Sequence, residues 1–117
     1  MLMGAFAVFT LVAVMGLSVV FNVWRGYAVE PGYPALHGVA ALLGSALVIA
    51  SALGGDTRLY VNIALAVVII LLGLVAGILS KKGKRVPKVI LLAHVSLAVV
   101  CYGILAFFTF NPYATLA

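Results

Sequence analysis

The chain has 117 residues, of which 67% are hydrophobic and 8% are charged, and its formal net charge is +5. Soluble domains carry about 25% charged residues, so this composition excludes an ordinary soluble domain. Four long apolar segments account for the excess, and each is near the roughly 20 residues that an α-helix needs to cross a bilayer. We therefore predict an all-α integral membrane protein, one domain of four transmembrane helices over residues 1–117.

The first half of the chain predicts two of these helices. Helix 1 is expected over about residues 2–23, and it is interpreted as a retained helix because no basic residue precedes it, as one would in a signal peptide. The segment "NVWRGYAVEPGYP" follows, with aromatic residues suited to the membrane interface and with prolines and glycine that interrupt the helix. Helix 2 is expected over about residues 34–53, with Pro34 in its first turn.

The second half predicts the other two. After the turn "GGDT", where Asp56 or Thr57 could cap a helix, helix 3 is expected over about residues 58–80. A basic loop follows, and Pro87 begins helix 4, expected over about residues 87–110. Short connections favour an up-down four-helix bundle, in which helices 2 and 4 lie diagonally. Pro34 and Pro87 each begin a helix that carries one histidine, a weak echo in a chain without a strong repeat.

The basic loop predicts the orientation in the membrane. The segment from Lys81 to Lys88 holds five of the seven basic residues of the chain. Because Lys and Arg in short loops favour the cytoplasmic side, we expect this loop in the cytoplasm and both termini outside, in a bacterial inner membrane. Such a cluster also suits anionic lipid head groups, so the bilayer and not nucleic acid is the expected partner.

The two histidines are the candidate metal-binding residues. His37 lies three residues after Pro34, and His94 lies seven residues after Pro87. At a rise of about 1.5 Å per residue, both fall in the cytoplasmic half of the membrane and differ in depth by about one turn. On diagonal helices they can face each other across the bundle axis. That arrangement suits a haem whose iron is held from both faces.

Small and basic residues around the histidines fit this interpretation. Small residues on the His37 face and on helix 3 leave room for a flat ring, and basic residues at the cytoplasmic rim suit haem propionates. The candidate cofactor-binding residues are therefore His37, His94, Ala41, Gly44, Gly73, Gly77, Arg25 and Arg85. The Gly73–Gly77 pair also matches the small-residue motif of membrane helix packing, so close contact between helices or within a homo-oligomer is an equally good explanation for it.

Other interpretations of the histidines stay open. A membrane histidine can simply hydrogen-bond a neighbouring helix, as in a cofactor-free accessory or anchor subunit of a larger membrane complex. One histidine could also hold a chlorophyll-type pigment. The sequence has no membrane-embedded carboxylate and no Ser/His/Asp set, which argues against a proton-coupled exporter and against a self-contained enzyme. Cys101 is the single cysteine and so cannot form an intrachain disulfide.

Two segments, "HGVAALLGSALVIASALGG" and "GKRVPKVILLAHVSLAVVCYGILAFF", together resemble the core of small bacterial membrane cytochromes b. The resemblance covers about residues 34–110 and implies haem b with His37 and His94 as axial ligands. Two-haem members of that group need four histidines, so at most one haem fits here. Electron transport is then the implied role, as an electron-transfer subunit of an oxidoreductase that takes electrons from a quinol or passes them to a respiratory or redox complex.

Overall fold

The computed structural model describes residues 1–116, and within that range it forms four long α-helices. Their bounds are α1 (Leu2–Trp24), α2 (Gly32–Leu53), α3 (Tyr60–Lys81) and α4 (Lys88–Phe110), with a 3-10 turn over Thr57–Leu59 leading into α3. All four are long and apolar enough to cross a membrane. The prediction of an all-α protein with four transmembrane helices is confirmed, and each predicted helix overlaps an observed one with ends that differ by a few residues.

The residues expected to start helices act in three different ways. Pro34 lies in the first turn of α2, which begins at Gly32, and its missing N–H costs nothing there because first-turn N–H groups have no partner within the helix. Pro87 lies just before α4, and its carbonyl accepts the N–H of Leu91 at 3.2 Å. Asp56 makes no capping bond. Its carboxylate binds the guanidinium of Arg58 at 2.7 Å instead.

The bundle consists of two antiparallel hairpins. The most extensive contacts are those of α1 with α2 and of α3 with α4, and smaller contacts of α2 with α3 and of α1 with α4 close the ring. Both diagonal pairs, α1 with α3 and α2 with α4, make little or no contact. The structure therefore has the up-down arrangement expected from the short loops, with the two histidine-bearing helices diagonal.

The two hairpins repeat one another in their turns. Gly26 and Gly83, 57 residues apart, follow α1 and α3 with positive φ angles of 73° and 69°. At the first turn the N–H of Tyr27 reaches the carbonyl of Asn22 at 2.8 Å, and at the second the equivalent bond from Lys84 is 2.9 Å long. Each turn is a helix-ending motif that needs a left-handed residue, which glycine adopts without strain. The backbone repeat thus has a spacing different from that of the two prolines.

Burial is concentrated at one end of the bundle. The hydrophobic core lies near the α2–α3 connection and the start of α1, and it consists of Ala5, Val48, Ala52, Leu59, Leu105 and Phe108. Towards the other two loops, by contrast, no residue of 16–43 or 63–104 is buried. The buried residues therefore lie towards one end of the bundle, here called the closed end, and the other end, with half-buried and exposed residues only, is called the open end. Both histidines belong to the open end.

Candidate functional site

His37 and His94 meet across the axis of the open end. Their ring centres are 6.4 Å apart, and the ring planes make an angle of 63°. Both side chains are half-buried. The structure therefore brings together the two histidines that were singled out from the sequence, on the diagonal helices and at a common depth.

Each imidazole rests on a glycine of the preceding helix. A Cβ atom added at Gly16 of α1 would lie 3.0 Å from Cε1 of His37, and one added at Gly73 of α3 would lie 3.0 Å from Cε1 of His94. The glycine precedes its histidine by 21 residues in both hairpins. Because glycine has no side chain, the ring edge can touch the helix backbone at these positions. The repeat that relates the two hairpins therefore also relates Gly16 and His37 to Gly73 and His94.

The two imidazoles differ in the hydrogen bond at Nδ1. In His94, Nδ1 lies 2.9 Å from the carbonyl oxygen of Ile69. A carbonyl oxygen can only accept, so Nδ1 is the donor, and in the neutral imidazole this leaves the lone pair on Nε2. The equivalent carbonyl for His37 is that of Val12, which is close enough to act on the ring, yet Nδ1 of His37 completes no hydrogen bond and is buried. One half of the site is satisfied, and the other is not.

The spacing of the rings fits two axial bonds to one metal. A metal–imidazole bond is about 2.0 Å long, and adding about 1.1 Å from each nitrogen to its ring centre places two opposed rings roughly 6.2 Å apart. The observed separation of 6.4 Å is close to this value.

The donor set favours a metal that brings its own ligands. Among residues 1–116 no group of three His, Cys, Asp or Glu side chains could hold a bare ion. Structural zinc sites use four protein ligands and catalytic ones three. A haem supplies four equatorial nitrogens and asks the protein for the axial positions only. Two histidines are therefore enough protein donors for a haem and too few for the usual zinc sites.

The remaining residues predicted to bind a cofactor differ in what they contact. Ala41 is half-buried on α2, whereas Gly44 is buried against the ring of Phe9, which a Cβ would meet at 2.9 Å. Gly44 thus packs α2 on α1 and does not reach the imidazoles. Gly73 contacts His94 as described, but Gly77 faces open space. Of the two helix 3 glycines, therefore, Gly73 alone belongs to the site.

The basic residues lie at the mouth of the open end. The guanidinium of Arg25 lies 5.0 Å from the ring centre of Phe21, and the ammonium of Lys88 lies 5.1 Å from that of Trp24. Arg85 is exposed. Arg25 and Lys88 therefore pack on aromatic rings beside the loops of the open end, and the role of Arg25 and Arg85 towards a cofactor stays a prediction.

Sequence reasoning missed the pairing of Gly16 with His37 and the role of the Ile69 and Val12 carbonyls. The equal Gly–His interval in the two hairpins was the signal that could have revealed it. Comparison of the chain with protein-family models, with curated proteins and with solved structures gave no match.

Proposed function

We propose that the chain is a membrane-embedded b-type haem protein, or the haem-bearing subunit of an electron-transfer complex, with His37 and His94 as the axial ligands. The observation that carries this proposal is the 6.4 Å separation of the two imidazoles across the bundle axis. The glycine beneath each ring and the absence of buried side chains at the open end support it.

A bound haem b would supply one-electron redox chemistry. The contribution of the chain is to hold and orient the ligands. The Ile69 carbonyl keeps the proton of His94 on Nδ1, which leaves Nε2 free to bind iron. Gly16 and Gly73 let the rings lie against the backbone. Arg25 and Arg85 at the rim provide positive charge for propionates, and the four apolar helices exclude water.

The position of the site limits the role. It lies towards the end that carries the basic loop, whereas the hydrocarbon core is about 30 Å thick. One haem near one face cannot carry electrons across that distance by itself. We therefore propose that the protein exchanges electrons with a quinol or with a redox partner on the basic side, as part of a larger complex in a bacterial inner membrane.

Visible spectra test the proposal. The wild type, expressed with haem available and purified in detergent, is expected to show a Soret band with sharp α and β bands on reduction. The paired variant His37→Ala/His94→Ala is expected to bind no haem. Ser96→Ala, an exposed position on α4, is the control for expression and should match the wild type. A wild type without a Soret band, or a paired variant with an unchanged spectrum, would refute the proposal.

A cofactor-free accessory subunit is the second candidate. The bond between His94 and the Ile69 carbonyl favours it, since this is how a histidine that only joins two helices would be satisfied. The same spectra separate the two functions: a folded wild type that takes up no pigment supports the accessory role. Long-wavelength absorption bands would indicate a chlorophyll-type pigment instead.

A further inference from the structure

The two halves of the histidine site form a natural matched pair. The Gly–His interval, the contact between glycine and Cε1, and the helix-ending turn are the same in both hairpins. The difference lies at Nδ1, which is bonded to a backbone carbonyl in His94 and is buried without a partner in His37. The two halves of the site therefore differ in the hydrogen bond at Nδ1, which fixes the orientation of the imidazole.

This hydrogen bond determines how firmly a histidine holds a metal. A partner at the second ring nitrogen fixes the tautomer and the ring orientation and raises the basicity of the ligating nitrogen. Loss of such a partner typically lowers metal affinity about 10- to 100-fold. In addition, a buried ring nitrogen without a hydrogen-bond partner is unfavourable, so the His37 ring is held less firmly in its orientation than the His94 ring.

We propose that, within the haem site of the proposed function, His94 is the anchoring axial ligand and His37 is the exchangeable one. The α2 side of the iron is then a binding site for a small neutral ligand, of which carbon monoxide is the simplest probe. In such an exchange, Nε2 of His37 would give up its bond to the metal as the neutral ligand binds. The imidazole would leave in its neutral form, and no electron would be transferred.

Among residues 1–116, the groups against the His37 ring are Gly16 and the Val12 carbonyl of α1 and the His94 ring across the axis. None of these groups carries a fixed charge. An uncharged ligand can therefore take the place of imidazole without leaving a buried charge unpaired.

Single substitutions test the proposal. His37→Ala is expected to keep a five-coordinate, high-spin haem. His94→Ala is expected to bind haem at least about 10-fold more weakly than His37→Ala does. Haem affinity is measured by titration into the haem-free protein, with Ser96→Ala as the control. The wild type, reduced with dithionite, should form a carbon monoxide complex while keeping its haem. Equal affinities of the two variants, the reverse order, or a reduced wild type that does not bind carbon monoxide would overturn the proposal and leave the haem function standing.

A second measurement does not depend on haem. In the ¹⁵N-labelled haem-free protein, the ring nitrogens of His94 are expected to show a fixed Nδ1–H tautomer, and those of His37 an average of two tautomers. Ring nitrogens that behave alike would overturn the difference between the ligands. A wild type that shows this difference but takes up no haem would refute the proposed function and, with it, the exchangeable ligand.

Discussion

At the scale of single residues, the site depends on two glycines that allow an imidazole to touch a helix backbone. An added methyl group at Gly16 or Gly73 would lie 3.0 Å from a ring carbon, closer than ordinary van der Waals contact. The His94 ring is also fixed by its bond to Ile69, a residue of the same helix as Gly73. The His94 ring can therefore move away from an added methyl group less easily than the His37 ring can.

We expect Gly73→Ala to displace the His94 ring and to lower haem retention, with a smaller effect for Gly16→Ala. Gly77→Ala is the matched control on α3, because nothing lies within 4 Å of the added Cβ. In a helix interior, alanine is more stable than glycine by about 0.5–1 kcal/mol, so the control should be neutral or slightly stabilising. Haem content after gel filtration and the melting temperature of the haem-free variants measure both effects. Equal losses for Gly73→Ala and Gly77→Ala would contradict the assignment.

At the scale of the helices, polar bonds join α4 to α3 and to α1. Asn62 of α3 is 2% exposed, and its amide donates to the carbonyl of Cys101 at 2.8 Å. Thr10 of α1 and the hydroxyl of Tyr102 are 2.8 Å apart. In lipid, the hydrophobic effect does not favour contacts between helices over contacts with lipid. Hydrogen bonds and close packing therefore decide which helices associate.

Asn62→Ala is expected to destabilise the bundle by about 1 kcal/mol, since interhelical hydrogen bonds in membranes average roughly 0.6 kcal/mol and a small cavity is added. The amide bond is to the backbone of Cys101, so Cys101→Ala keeps the acceptor and should cost less. Unfolding in mixed detergent micelles measures both free energies. A larger loss for Cys101→Ala than for Asn62→Ala would show that the thiol, and not the amide, joins α3 to α4.

At the scale of the whole molecule, charge is strongly polarised along the bundle axis. Six of the seven basic residues lie at the open end, namely Arg25, Lys81, Lys82, Lys84, Arg85 and Lys88. At the closed end, Arg58 binds Asp56 at 2.7 Å and donates to the carbonyls of Asn111 and Ala114. The side-chain hydrogen bonds that Arg58 donates to Asp56 lower the pKa of this carboxyl below its ordinary 3.8. The pair therefore stays ionised at neutral pH and cancels its own charge.

Because uncompensated Lys and Arg favour the cytoplasmic side, we expect the open end to face the cytoplasm. In a Cys101→Ala background, Gly83→Cys should resist a membrane-impermeant thiol reagent applied to intact cells, and Tyr113→Cys should react. Tyr113 is 98% exposed and lies at the closed end, so it serves as the positive control. The terminal residue, Ala117, lies outside the described residues. Labelling of Gly83→Cys from outside would reverse the orientation and place the two histidines near the outer face.

The sequence by itself determined the helices, their order and the polarity of the charge. In a chain with 8% charged residues, each apolar segment must satisfy its backbone within a helix when it enters lipid, and glycines, prolines and charges mark where each segment ends. The short loops then required antiparallel neighbours. Diagonal placement of His37 and His94 followed from that topology, and the 6.4 Å ring separation agrees with it.

Only the tertiary structure decided which small residues belong to the site. Gly44 shares the His37 face by its spacing, yet it packs on Phe9, and Gly77 shares a motif with Gly73, yet it faces open space. The rotation of each helix about its axis could not be predicted from the sequence. The lipid-facing side of a membrane helix is as apolar as its inner side, so the hydrophobic pattern does not indicate which side faces the bundle interior. The contact of Gly16 with His37 and the unequal Nδ1 bonds depend on that rotation, since they join residues of different helices.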